Sequence, residues 1–251
     1  MSKTPPKAAS GGVAAGRRPV AELLRARRRE VERIYVAPTA EFAHELDGLI
    51  AESGVSVSVR EPDELARLAA LDAHQGIVAV AAPIVFVDVR ELVQDASLLI
   101  VLDRVSDPQN LGAVLRVADA CGADGVVMAD RHSAPMSAAT LKAAAGAAEW
   151  VQIARPANLA NAIELAKKEG LWAIGLEVGG EPVGRCALFD ERVAIVAGAE
   201  GGGLRRRTRE ICDVMCEIPM LGSVGSLNVA TSVALAAYRA VGLDGNGTGA
   251  S

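Results

Sequence analysis

Three short segments of the 251-residue chain carry side chains able to do chemistry. The first, DRVSDPQNLGAVLR (103–116), follows an apolar run. Asp107-Pro108 marks a turn, Asn110 is of N-cap type, and a helix is expected from Leu111. Leu111, Val114, Leu115 and Ala118 recur at helical spacing as its buried stripe, which leaves Arg116 on roughly the opposite side. Asn110 and Arg116 read either as a plain cap and a solvated cation, or as an amide and a guanidinium aimed at a ligand. The second segment, VAGAEGGGLRRRTRE (196–210), takes a strand into a turn with Gly198, Gly201, Gly202 and Gly203. Glycines after a parallel strand let a ligand approach the backbone closely. The turn lacks the GK[ST] of a P-loop and does not spell GxGxxG. Glu200 within it would repel phosphate, which points to a ligand without one. Arg205, Arg206, Arg207 and Arg209 follow, as solvated surface or as a basic face. The third, CEIPMLGSVGSLNVATSVALAAYR (216–239), leads into a helix apolar on nearly every side, destined for the core or a subunit interface. Ser226 reads as its cap or as a site hydroxyl. Asn228, an amide in an apolar first turn, needs partners, with about 1–3 kcal/mol at stake if it lacks them.

The elements that must hold these segments alternate. Helix VAELLRARRR, with Val20, Leu23, Leu24 and Ala21 on one side and arginines on the other, precedes a strand ERIYVA. Helix EFAHELDGLIAESG, strand VSVSV, helix PDELARLAAL and strand GIVAVAA complete a small α/β unit. After a less patterned stretch the chain restarts with the apolar strand LLIVLD, and helices then alternate with strands to the end. Strands this uniformly apolar belong to a parallel sheet covered on both faces. The expected organisation is a flexible tail (1–15), a first domain (16–83), a linker (84–96), a second domain (97–243) and a second flexible tail (244–251).

Composition narrows the function classes. Hydrophobic residues are 51% and charged residues 23%, so a folded chain is expected. Aromatics are 3%, which argues against a surface that reads single-stranded RNA by stacking on rings. Net charge is −5, yet residues 1–35 hold nine Lys or Arg against three Glu. One end of the chain could therefore meet phosphate, unless that run is simply a solvated helix face. The four cysteines show neither a CxxC pair nor zinc-finger spacing with histidine, so no metal site is expected. The lack of an apolar leader or a run of about 18 apolar residues points to the cytoplasm and away from a membrane.

In order and spacing, NLGAVLR, GAEGGGLRRRTREICD and IPMLGSVGSLNVATSVALAAYR resemble the three motifs of the SpoU (TrmH-like) RNA ribose 2′-O-methyltransferases of the SPOUT class. The match covers about 97–243. The N-terminal AAGRRPVAELLRA, VERIYVA and HQGIVAV are similar to the RNA substrate-binding domain that precedes this catalytic domain in the subgroup modifying large-subunit ribosomal RNA. The resemblance implies a parallel α/β domain with a C-terminal trefoil knot, a homodimer, and S-adenosylmethionine as cofactor. It implies cofactor contacts at Gly198, Ile218 and Leu227, and a polar catalytic set of Asn110, Arg116, Glu200, Ser226 and Asn228. Methyl transfer to a ribose hydroxyl is an in-line displacement that needs no metal. Because a free guanidinium, with a pKa of about 12.5–13.8, is a poor base, Arg116 is read as a phosphate clamp that also stabilises the developing alkoxide. Glu200 is read as orienting it. Two other readings share these residues: a non-catalytic RNA-binding or ribosome-assembly factor, and a methyltransferase conferring antibiotic resistance at another rRNA nucleotide.

Overall fold

The structure, a computed structural model, describes residues 12–199 and 201–243. Glu200, the tail after Leu243 and most of the N-terminal tail lie outside the described residues. The chain divides into two compact units.

The smaller unit takes the chain up to Val85 and, from further on, Pro135–Trp150. Its sheet holds β1 (Val13–Ala15), β2 (Val31–Val36), β3 (Val57–Val59) and β4 (Ile77–Ala81) in the order β1-β4-β2-β3. β4 runs antiparallel to both neighbours and β2–β3 is parallel. Between the strands come α1 (Arg17–Ala26), α2 (His44–Ser53) and α3 (Pro62–Ala69). α1 buries Val20, Ala21, Leu23 and Leu24, the stripe its spacing predicts, against Ile34, Ile77 and Ala79. The expectation of a tail to residue 15 is corrected here: Val13–Ala15 is a buried strand paired with β4. Three residues between glycines carry no readable period, and only the partner strand gives them a ladder.

The larger unit comprises Phe86–Ala134 and the chain from Val151. It opens with α4 (Val89–Gln94), inside the stretch expected to be a linker. Asp88 caps α4 by accepting from the Arg90 amide at 2.9 Å, and Leu92 and Val93 are buried in the unit's core. That stretch is thus partly a packed helix. β5 (Leu98–Asp103), α5 (Pro108–Ala120) and β6 (Gly125–Met128) follow. The chain then visits the smaller unit through α6 (Ala138–Ala143) and returns with β7 (Ile153–Ala154), α7 (Leu159–Lys168), β8 (Trp172–Pro182) and β9 (Val193–Gly198). α8 (Arg206–Ile211), β10 (Val214–Glu217) and α9 (Val229–Val241) complete it. The six strands pair in parallel in the order β10-β8-β9-β5-β6-β7, as the uniformly apolar strands predict. α9 packs on α5, β5 and β9. It buries Val229, Ala230, Val233, Ala236 and Ala237 but leaves Leu235 47% exposed.

The sequence boundary at 97 places Pro135–Trp150 with the second domain, whereas the structure clusters it with the first unit. The reason is polar. Arg29 and Glu149, each with a side chain only 3% exposed, form a two-nitrogen ion pair, and Arg29 Nη1 also donates to the Ala82 carbonyl at 2.6 Å. Arg28 Nη1 donates to the Trp150 carbonyl at 2.8 Å and Trp150 Nε1 donates to Glu22 at 3.1 Å. These bonds tie residues remote in sequence, which no local pattern reveals.

Candidate active site

In an open parallel sheet, ligands bind outside the carboxyl ends of the strands, where strand order reverses. Here the chain moves from β5 outward through β6 and β7, then returns on the other side through β8 and β9. A cavity of about 660 Å³ lies at the carboxyl end of β9, beside Leu176, Glu177 and Val178 in the middle of β8.

Gly198 ends β9, and a Cβ there would stand 2.2 Å from the Gly203 carbonyl oxygen. Only glycine allows the turn to fold back so closely, with Gly203 at φ +57° and its amide donating to the Ala199 carbonyl at 3.0 Å. On the opposite wall, β8 bulges between Gly175 and Glu181 relative to β10, so Leu176, Glu177 and Val178 face the cavity. The bulge requires Gly180, whose Cβ would stand 2.5 Å from the Met215 carbonyl oxygen. The segment between β10 and α9 supplies Ile218, Ser226, Leu227 and Asn228.

Five of the eight residues singled out in the sequence therefore line one cavity: Gly198, Ile218, Ser226, Leu227 and Asn228. Asn110 joins them indirectly. It is not the N-cap of α5. Asp107 is, accepting from the amides of Gln109 and Asn110, and Pro108 fills the first helical position, where its missing N–H costs nothing. Asn110 is thereby placed inside the first turn, buried, and its Oδ1 accepts from Asn228 Nδ2 at 2.7 Å. Asn228 in turn, not Ser226, caps α9, its Oδ1 accepting from the Ala230 amide at 2.8 Å. One amide thus caps a helix and grips a second amide across 118 residues of chain. Ser226 stays exposed. Arg116 is exposed on α5, opposite buried Leu111, Val114, Leu115 and Ala118. It does not line the cavity and has no ion pair among the described residues. Glu200 lies outside the described residues.

Sequence reasoning missed Asp103. It is fully buried at the end of β5, where one carboxylate oxygen accepts from Arg205 Nε at 2.7 Å and the other from the Arg205 amide at 3.0 Å. This pins the exit of the Gly-rich turn. A lone acid closing the apolar strand LLIVLD was the available signal, because a buried carboxylate demands a partner. Glu177 was missed as well. It pairs with Arg209 and its Oε1 would stand 2.8 Å from a Cβ on Gly203. Cys216 lines the cavity, but burial and a hydrogen bond with Cys186 push its thiol well above the usual range, so it stays protonated and a weak nucleophile.

The cavity is apolar on most of its wall, contains the carboxylate of Glu177, and has no Lys or Arg among its described lining residues. Both oxygens of Glu177 are taken by Arg209, so the site favours a largely apolar ligand and offers phosphate no cation among its described lining residues.

Comparison with known proteins agrees with this geometry. Residues 97–238 match the SpoU rRNA Methylase family, and residues 13–86 match the family described as RNA 2′-O ribose methyltransferase substrate binding. The chain is 38% identical over 224 residues to the 23S rRNA (guanosine-2′-O-)-methyltransferase RlmB of Ralstonia nicotianae, covering 87% of this chain and 90% of the relative. It is 43% identical over 175 residues to RlmB of Vibrio parahaemolyticus, covering 67% and 70%. The fold matches that of the SpoU methyltransferase AviRb from Streptomyces viridochromogenes, solved in complex with AdoMet, with a TM-score of 0.77 and 24% identity over 91% of this chain and 88% of that one. With both family matches in place and the motif residues gathered around one cavity, the chain belongs to the SpoU rRNA methylase family.

Proposed function

We propose that this protein transfers a methyl group from S-adenosylmethionine to a ribose 2′-hydroxyl of ribosomal RNA, the target being a guanosine of 23S rRNA. The observation that carries the reading is the single cavity that gathers Gly198, Ile218, Ser226, Leu227 and Asn228. Its volume of about 660 Å³ suits a nucleoside with an amino-acid arm, and a mostly apolar wall with no Lys or Arg among its described lining residues is compatible with a sulfonium. The 23S guanosine target rests on the RlmB relatives, and an RNA-binding first unit is supported by the family matched at 13–86.

Bound S-adenosylmethionine supplies an electrophilic methyl group on a positively charged sulfur. Gly198 and the turn after it, with Ile218 and Leu227, hold it largely through backbone and apolar contacts. The Asn110–Asn228 pair fixes the first turns of α5 and α9 against each other and so sets one wall of the site. Positioning of this kind can supply about 7–11 kcal/mol of the barrier reduction. Arg116, exposed and without an ion pair among the described residues, grips the phosphate beside the target ribose in a bidentate fork and stabilises the developing alkoxide. Ser226 orients the ribose, and Glu200 holds the Arg116 guanidinium in place.

The segment after β10 must pass back from the sheet edge to bring α9 onto α5 and β9, which supports the trefoil knot. A homodimer is supported by apolar side chains left exposed, Leu221, Val224 and Leu235. Among the described residues no helix is long and apolar enough to cross a membrane, and an rRNA substrate supports a cytoplasmic location.

Mapping ribose methylation across total RNA from cells with and without the protein tests the function. Loss of one 23S guanosine site is expected. Unchanged methylation would favour an RNA-binding role without turnover. The clamp is tested by Arg116→Lys, which keeps the charge but loses the fork. A clear fall in single-turnover rate with an unshifted pH profile is expected, whereas a near-normal rate with a shifted profile would make Arg116 the base.

A further inference from the structure

A second cleft, of about 400 Å³, opens at the same carboxyl edge, over the ends of β6 and β7. The Gly-rich turn stands between the two sites: Gly198, Ala199, Gly201, Gly202 and Gly203 face the first, while Arg205, Arg207 and Thr208 face the second. The two differ in charge. Three arginines line the second cleft, Arg131, Arg205 and Arg207.

Much of that donor capacity is uncommitted. Arg131 is exposed and makes no hydrogen bond or ion pair with any described residue. Asp103 takes only the Nε and backbone amide of Arg205, so both Nη nitrogens of Arg205 have no acceptor among the described residues. Arg207 spends Nη2 on Glu164 at 2.6 Å, and its other side-chain nitrogens have no acceptor among the described residues. The amino end of the ten-residue α7, capped by Asn158, also lines the cleft and adds the positive end of its dipole. The one carboxylate among the described lining residues, Asp130, is already paired with Arg155 at 3.2 Å. The loop that carries Arg131 is held by His132 in the left-handed region, φ +64°, a conformation that costs a non-glycine residue free energy.

We propose that this cleft binds a phosphodiester of the RNA substrate, with Arg131 as its principal ligand and Arg205 and Arg207 in support. The inference rests on the methyltransferase reading: a chain whose ribose enters the first cavity must place neighbouring phosphates along the same sheet edge. It also divides the labour, with the cofactor in a cavity that has no Lys or Arg among its described lining residues and an anionic backbone in the arginine-lined cleft. Asp103 becomes a positioning residue for both, since it anchors the turn between them.

The test compares wild type, Arg131→Ala and Arg131→Lys with a 23S rRNA transcript, reading RNA affinity across a salt series, methyl-transfer KM and kcat, and S-adenosylmethionine affinity. Arg131 is exposed and has no partner among the described residues, so its truncation leaves the fold intact. Arg131→Ala is expected to raise KM for RNA about tenfold and to lower the slope of log affinity against log salt by about 0.7–0.9, one phosphate contact, with kcat and cofactor affinity unchanged. Arg131→Lys should keep most of the slope. The proposal is overturned if Arg131→Ala matches wild type in RNA affinity and slope, even if inorganic phosphate binds the cleft, or if cofactor affinity falls in parallel. If wild type transfers no methyl group but binds RNA with an Arg131-dependent slope, the functional reading fails and the cleft stands.

Discussion

Asn228 does two jobs with one side chain, capping α9 through Oδ1 and donating to Asn110 through Nδ2. Asn228→Ala removes both and leaves the Asn110 oxygen without its donor. The expected loss is about 1–3 kcal/mol in urea unfolding, the scale of a lost cap and an unpaired amide, together with weaker cofactor binding by titration. Unchanged binding and unchanged rate would reduce Asn228 to a structural amide. Gly198 makes the opposite kind of demand, for the absence of an atom. Gly198→Ala forces a Cβ to within 2.2 Å of the Gly203 carbonyl oxygen, so the turn must open. A destabilisation of about 1–3 kcal/mol and loss of measurable cofactor binding by calorimetry are expected, and near-normal affinity would mean that the turn does not shape the site.

At the scale of elements, the smaller unit depends on a segment borrowed from far along the chain. Pro135–Trp150 is held there by the buried Arg29–Glu149 pair, so Arg29 is committed to structure rather than to a ligand. Glu149→Gln leaves a guanidinium buried without its counter-charge, and about 3–5 kcal/mol of stability should be lost in urea or thermal unfolding. Replacing both partners, Arg29→Met with Glu149→Leu, should recover most of that loss, since a well-packed apolar pair avoids the desolvation cost. A single variant as stable as wild type would show that the pair contributes nothing. Helix periods were legible wherever one face is apolar, as in α1 and α5. β1 and α4 were not legible, because three residues and six residues give too few repeats to show a period.

For the whole molecule, the basic N-terminal run is smaller as an RNA-facing charge than its composition indicates. Arg25 pairs with Glu22 and Glu45, and Arg29 with Glu149. Arg18 and Arg27, with side chains 77% and 73% exposed and their nearest carboxylates at 3.8 and 3.9 Å, remain available. RNA affinity should fall with salt, by a slope of about 0.7–0.9 per phosphate engaged. Arg18→Ala and Arg27→Ala should each flatten it, whereas Arg25→Ala should not. A salt response already flat in wild type would remove the first unit from RNA binding.

Residue types and local spacing were enough to establish the alternating α/β plan, the apolar parallel sheet and the three motif segments, because period and backbone chemistry are local properties that a sequence displays directly. Long-range contacts decided the rest. Asp107 rather than Asn110 caps α5, and Asn110 turns to Asn228. Asp103 meets Arg205 across 102 residues, and Glu149 meets Arg29 across 120. Each of these satisfies a buried polar group, and the cost of leaving such a group unpaired is what selects its partner. Where that partner sits depends on how the strands are ordered in space, which only the tertiary structure specifies.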